Sequence, residues 1–339
     1  PNEFTRWLES AAAPPDPRYR DLVSTLARYR EIARLGGWKP LPSPPSNVGP
    51  GQPYSNVALL RARLRAEGDL PESAKKILII NLDRLRWMPR AYEQSEHLEV
   101  NIAEGALRLF KGGRSVDTVR VIVGKKGEHQ TPVFHGDMRY LIFRPYWNVP
   151  LSIARNEIVP PALRDPSYVS RERYEIVPSF GASPDQVLPP TPENLQKVAS
   201  GQLNIRQGTG PGNALGLVKF IFPNENAVYL HDTPDHSLFQ ATDRDFSHGC
   251  VRVSEPAMLA SYLLRDKPEW NIQTVQAAMQ DANRPNHKVN LTESVPVYLV
   301  YWTSTIMDDG RVRFDQDIYG HDGEMFAKFG LEAAAVSRQ

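Results

Sequence analysis

Near residue 95 the apolar residues of this chain change their period, and that switch sets the fold class. Upstream, Tyr19, Leu22, Val23, Leu26, Tyr29, Ile32 and Ala33 recur at helical spacing behind Asp16-Pro17, an N-cap followed by proline at the first helical position. Gly36 and Gly37 close that helix. A Pro/Gly/Ser-rich linker over 39–53 follows, then a helix from Asn56 to Gly68 and another over 77–87 closed by Pro89. Downstream, Leu98, Val100 and Ile102 alternate with polar residues. Leu107, Leu109 and Phe110 lead into the turn Lys111-Gly112-Gly113-Arg114, and Val119, Val121 and Val123 share one face of a strand ending at Gly124. Strand signals return over 217–222, 228–231 and 295–303, with Asp308-Asp309-Gly310 as a hairpin turn, and helices are expected over 192–199, 255–264 and 269–279. The expected fold is α+β: a helical region over 1–95, a mainly antiparallel β domain over 96–305, and a C-terminal hairpin and helix over 306–339 packing back on the helical region. A proline-rich insertion over about 139–205 interrupts the β domain, and an insertion that long in a compact domain argues for a function.

Charge narrows the function classes. Forty Lys plus Arg against 39 Asp plus Glu leave a net charge of +1, which removes the bulk electrostatic case for nucleic acid or an anionic membrane. No stretch approaches the roughly 18 apolar residues of a membrane helix, and the apolar run 295–302 is short and holds a proline. The chain opens on Pro1 without an export signal, as a processed chain would. Its single cysteine, Cys250, excludes an internal disulfide and a multi-cysteine zinc site. A lone cysteine is ordinarily a buried, inert thiol.

The neighbours of Cys250 argue otherwise. Tyr229-Leu230-His231-Asp232-Thr233 is followed by Ser247-His248-Gly249-Cys250-Val251-Arg252. A cysteine nucleophile needs a base or a cation to activate it, and two histidines stand close in sequence. His231 ends an apolar strand, where a side chain is held rigidly at an edge. His248 shares a face with Cys250 if the chain is extended there. Gly249 admits close backbone approach, amides at Gly249 and Cys250 suit an oxyanion, and Arg252 suits a substrate carboxylate. His231, His248 and Cys250 also form a conceivable zinc ligand set, but without a compact ligand-pair motif that reading carries little weight.

These residues resemble the L,D-transpeptidase catalytic domain, or YkuD domain, whose signature is a histidine followed by Ser or Thr, His, Gly, Cys, any residue, then Arg or Asn. His231, Ser247, His248, Gly249, Cys250 and Arg252 meet it. Asn81-Leu82-Asp83-Arg84-Leu85-Arg86-Trp87-Met88-Pro89, Thr131-Pro132-Val133-Phe134, Pro145-Tyr146-Trp147-Asn148-Val149-Pro150, the run from Arg206 to Gly216 and Asp317-Ile318-Tyr319-Gly320 are similar to the larger periplasmic murein transpeptidases of the YcbB type. Residues 56–70 resemble the first helix of the peptidoglycan-binding module of such enzymes. The chain then passes through Pro71-Glu72-Ser73-Ala74 to the pre-catalytic segment, leaving a remnant of that module.

The resemblance implies a β-sandwich catalytic domain with a capping insertion. It implies Cys250 as nucleophile, His231 as base, the main-chain carbonyl of Asp232 as the group orienting that base, His248 in support, and Gly249 and Cys250 amides as oxyanion hole. Arg252, Ser247, Tyr229 and Trp147 would bind or line the substrate groove. The implied reaction forms a thioester at the meso-diaminopimelate of a tetrapeptide stem with release of D-Ala, then a 3–3 cross-link to a second stem. No metal or organic cofactor is implied. Implied partners are donor and acceptor stems, outer-membrane proteins as alternative acceptors, and carbapenems as covalent inhibitors. The implied location is the Gram-negative periplasm. Hydrolysis of the thioester as an L,D-carboxypeptidase, attachment of proteins to the stem, and a noncatalytic wall-binding scaffold are the competing readings.

Overall fold

The computed structural model describes residues 17–34, 72–89, 92, 95–307 and 311–331. The expected linker over 39–53, the helix over 56–70 and the turn Asp308-Asp309-Gly310 lie outside the described residues. The chain divides into two compact units, one of residues 1–95 with 301–339, the other of residues 96–300. Among the described residues no helix is long and apolar enough to cross a membrane.

In the first unit, helix α1 (Pro17–Arg34) buries Tyr19, Leu22 and Leu26, a narrow stripe at helical spacing. Val23, expected on that face, is exposed, lying about 40° beyond Tyr19 at the edge of the stripe. Helix α2 (Glu72–Arg86) buries Leu78, Ile80, Leu82 and Leu85, and also Asn81 and Arg84. Those two polar side chains are satisfied from the far end of the chain. Asn81 Nδ2 donates to Thr303 Oγ1 at 2.9 Å, the Thr303 amide donates to Asn81 Oδ1 at 3.0 Å, and Arg84 pairs with Asp322 at 2.7 Å. Strands Ser304–Ile306 and Val312–Phe314 form the hairpin here, followed by helix His321–Lys328.

The second unit is built on one large sheet. Its strands are β1 (His97–Asn101), β2 (Ala106–Lys111), β3 (Arg114–Gly124), β4 (Phe134–Phe143), β8 (Val218–Ile221), β9 (Leu230–His231), β10 (Asp245–Ser247), β11 (Val251–Val253) and β12 (His287–Val300), with β5, β6 and β7 in the insertion. The order is β10-β3-β11-β9-β8-β4-β12-β1-β2, and β2 pairs with β3 as well. That last pairing joins the sheet into a ring, so the two walls of the expected sandwich are one continuous sheet with few free edges. β1/β12, β9/β11 and β3/β10 run parallel and the other pairs antiparallel.

Alternation along these strands separates core from chemistry. Leu141, Phe220, Leu230 and Val251 are register partners on β4, β8, β9 and β11, and all are fully buried. One residue further along, Ile142, Lys219, His231 and Arg252 are partners in the same way and occupy the opposite face.

The insertion has its own core. β5 (Trp147–Asn148), β7 (Asn204–Gln207) and β6 (Tyr174–Val177) form a small sheet. It packs with short helical segments around Val149, Ile158, Ala162, Ile176, Leu195 and Ile205. Residues 139–143, expected in the insertion, are instead the end of β4, because their alternating side chains pair with β8 and β12. Helix Pro192–Ser200 starts where Thr191 Oγ1 accepts the Asn194 amide and stops at Gly201, whose φ is 79°.

The buried row implies a measurable cost. Phe220→Ala is expected to destabilise the chain by about 3–5 kcal/mol, lowering the urea midpoint without changing the slope of the transition.

Candidate active site

The short strand β9 places His231 in the second unit's functional row, 4% exposed. Its Nδ1 lies 2.5 Å from the main-chain oxygen of Asp232. A carbonyl only accepts, so Nδ1 carries the proton and Nε2 keeps its lone pair. Burial, with the charges of Arg252 and Lys219, lowers the pKa of His231 to about 3, against the raising effect of the Asp232 bond. The imidazole is therefore neutral at ordinary pH, with Nε2 as its unprotonated nitrogen.

Asp232 is itself fixed on both carboxylate oxygens. Oδ2 accepts from the Leu217 amide at 2.8 Å, and Oδ1 accepts from the Thr233 amide at 2.7 Å and faces His236 Nε2 at 3.2 Å. Burial pushes this carboxyl up and those hydrogen bonds pull it down. Gly216, at φ 62°, allows the arrangement: a side-chain carbon there would stand 2.4 Å from the Asp232 carboxylate.

Cys250 is half-buried, following a bend in which Gly249 adopts φ 110°. Ser247 Oγ donates to the Cys250 carbonyl at 2.5 Å and accepts from the Gly249 amide at 3.1 Å. Thr131 Oγ1 accepts from the Gly124 amide and donates to the Gly249 carbonyl, each at 2.8 Å. Gly124 has to be glycine, since a side-chain carbon there would stand 1.9 Å from the His129 carbonyl oxygen. The loop carrying Cys250 is thus tied to the end of β3. Burial pushes the Cys250 thiol up, while hydrogen bonding from Tyr229 and the charges of Lys219 and Arg252 pull it down. Lys219 is lowered by burial to about 8, with Cys250 pulling it back up. Cys250 accordingly rests as a neutral thiol and His231 as a neutral imidazole.

Tyr229, His231, Asp232, Ser247, Gly249, Cys250 and Arg252 are therefore gathered in one place. Two of the sequence-derived residues are not. The extended path expected to put His248 beside Cys250 is broken by Gly249, and His248 instead meets Glu157 at 2.9 Å and stacks obliquely on His129. Trp147 packs on the core of the insertion, its ring 6.4 Å from Tyr174. Among the described residues no three His, Cys, Asp or Glu side chains are grouped to hold a metal ion, so the His231, His248 and Cys250 set is not assembled. The sequence did not single out Lys219 or Glu157, and it gave Thr131 only as the first residue of the segment Thr131-Pro132-Val133-Phe134. Lys219 stands out of an apolar strand as Val218-Lys219-Phe220, yet only the register with His231 reveals its place.

The profile of the L,D-transpeptidase catalytic domain, YkuD, matches residues 95–270. The chain belongs to the YkuD family. A protein of Haemophilus influenzae described as "Putative L,D-transpeptidase" is 32% identical over 251 residues, covering 73% of this chain and 48% of that protein. The chain thus spans about half the length of that relative. The crystal structure of an L,D-transpeptidase from Xylanimonas cellulosilytica aligns over 78% of this chain and 100% of its own at 15% identity, with a TM-score of 0.26.

The bracing of the loop that carries Cys250 in this YkuD chain is testable. Thr131→Val removes the bonds from Thr131 Oγ1 to the Gly124 amide and the Gly249 carbonyl and is expected to cost about 1–3 kcal/mol. Thermal unfolding and the rate of Cys250 alkylation should both change, and Thr131→Ser should restore both. A valine variant indistinguishable from the parent would remove the brace from the account.

Proposed function

We propose that this YkuD chain is a cysteine L,D-transpeptidase of the YcbB type that forms 3–3 cross-links between peptidoglycan stems. The observation carrying the reading is the His231 Nδ1 bond to the Asp232 carbonyl, which leaves Nε2 as an acceptor on the residue whose register partner, Arg252, lies two positions after Cys250.

In this mechanism Cys250 Sγ attacks the carbonyl carbon between meso-diaminopimelate and the terminal D-Ala of a donor tetrapeptide. The thiol proton passes to His231 Nε2. The tetrahedral adduct collapses, the carbon–nitrogen bond breaks, and His231 returns the proton to the amine of departing D-Ala. A thioester remains at Cys250. The side-chain amine of a second stem attacks it, loses its proton to His231, and the carbon–sulfur bond breaks as Sγ is reprotonated. A thioester keeps enough acyl reactivity for transfer to an amine. The Gly249 amide reaches the oxyanion by exchanging its bond to Ser247, joined by the Cys250 amide. Arg252 takes a substrate carboxylate, and Tyr229 hydrogen-bonds the sulfur. Peptidoglycan substrate implies a periplasmic location. Carbapenems would acylate the same sulfur, and outer-membrane proteins are the alternative acceptors.

Mass spectrometry of muropeptides incubated with the chain tests this reading. The expected product is a dimer lighter than two tetrapeptide monomers by one D-Ala, absent with Cys250→Ala. Tripeptide monomers alone would make the chain an L,D-carboxypeptidase, and no change together with no carbapenem adduct would make it noncatalytic. His231→Gln is expected to slow carbapenem acylation by about 10²–10⁴-fold.

The pH dependence has a worked sign. Lowering of its pKa to about 3 keeps His231 in its basic form throughout the neutral range. Acylation is expected to show no acid limb near pH 6.5 between about pH 5 and about pH 8. A limb with that midpoint, lost in His231→Gln, would contradict it.

A further inference from the structure

Beyond the reacting row, one feature of the second unit has no structural explanation: a buried arginine without a counter-charge. Arg144 follows the end of β4 and is 8% exposed, yet its Nε has no hydrogen-bond partner and no carboxylate pairs with its guanidinium among the described residues. A second arginine, Arg173, stands beside it. Arg173 Nη1 lies 2.8 Å and Arg144 Nη2 3.6 Å from the point where a side-chain carbon of Gly210 would stand. Arg173 Nη1 donates to the Thr209 carbonyl at 3.2 Å, while its Nη2 is also buried without a partner. Two like charges held together with unused N–H groups repel each other and are costly to bury unless an anion completes them.

The backbone is arranged around this pair. Arg144 and Arg173 both adopt the left-handed region, at φ 47° and 57°, where side-chain-bearing residues are uncommon and where functional sites store strain. The loop facing them is Gly208-Thr209-Gly210-Pro211-Gly212, and a side-chain carbon at Gly212 would stand 2.8 Å from Arg173 Nη2. Asn213 secures the loop through Nδ2 bonds to the Pro145, Gln207 and Gly208 carbonyls. The pair is also wired to the reacting row. The Arg144 amide donates to the Leu217 carbonyl at 2.7 Å, and the Leu217 amide donates to the Asp232 carboxylate at 2.8 Å.

We infer that Arg144 and Arg173, with the glycine loop 208–212, form a carboxylate-binding subsite that holds a carboxylate of the peptide stem. This rests on the proposed function for the identity of the ligand. Guanidinium groups offer paired N–H donors that match a carboxylate. Arg144 lies two strands across and two residues along from His231, on the order of 12 Å by sheet spacings. An extended peptide of about four residues spans a similar length. A stem whose carbonyl sits at Cys250 therefore reaches the subsite with another of its carboxylates.

The test is titration calorimetry of the Cys250→Ala chain with a tetrapeptide stem and with the same stem amidated at its carboxylates. Arg144→Met is expected to weaken binding of the unmodified stem about tenfold or more and to leave binding of the amidated stem unchanged. Arg144→Lys should recover little, because an ammonium lacks the fork. Arg173→Met should act in the same direction. Removing an unpartnered buried charge should leave thermal stability of Arg144→Met equal or higher. A variant that melts lower but binds the stem like the parent would make Arg144 a brace for the loop and overturn the subsite. Failure of the parent to bind any stem would overturn it too, and a carbapenem adduct on the Cys250-containing chain would then show that the proposed active site stands without it.

Discussion

The hydrogen bond from His231 Nδ1 to the Asp232 carbonyl is the interaction on which the site depends. It selects one tautomer of a buried ring, and everything around it serves to keep that carbonyl in place. The Asp232 carboxylate is held by the Leu217 and Thr233 amides, and Gly216 clears the space for it. A carboxylate used in this way anchors backbone geometry. The charge that tunes the ring comes instead from Lys219 and Arg252, its register partners on the adjacent strands. Burial is the main cause that keeps the imidazole neutral, and those two charges add to it.

The closed sheet makes this economical. A one-residue step along β8, β9 and β11 moves from a row of buried apolar side chains to the row carrying Lys219, His231 and Arg252. The register that packs Leu141, Phe220, Leu230 and Val251 therefore also aligns the polar groups, so any slip that displaced His231 would expose the core. Cys250 stands just before β11 and is positioned separately, by the Ser247 and Thr131 hydroxyls. The insertion carries its own apolar core and touches the loop before Cys250 through Glu157 and His248.

Local periodicity made the α+β class readable in the sequence. The alternation of Val218-Lys219-Phe220 and the capping of the helix at Thr191 follow from residue chemistry within a few positions. The cysteine motif gave Cys250, His231 and Arg252 for the same reason: the residues are distinctive and close together in the chain. What stayed hidden depends on contacts distant in sequence. Thr131 reaches Gly249 across 118 residues and Glu157 reaches His248 across 91, and neither pairing leaves a local pattern. The ring closure through β2 and β3, and the parallel pairing of β1 with β12, are likewise long-range choices. The direction His248 takes depends on Gly249, whose φ of 110° turns the chain and leaves His248 against Glu157.

The most direct test of the account is nitrogen NMR of the His231 ring across pH in the intact chain. The account predicts a neutral ring protonated at Nδ1 and unprotonated at Nε2, unchanged as pH falls from about 8 to about 5. A ring protonated at Nε2, or one that takes a second proton near pH 6.5, would contradict it.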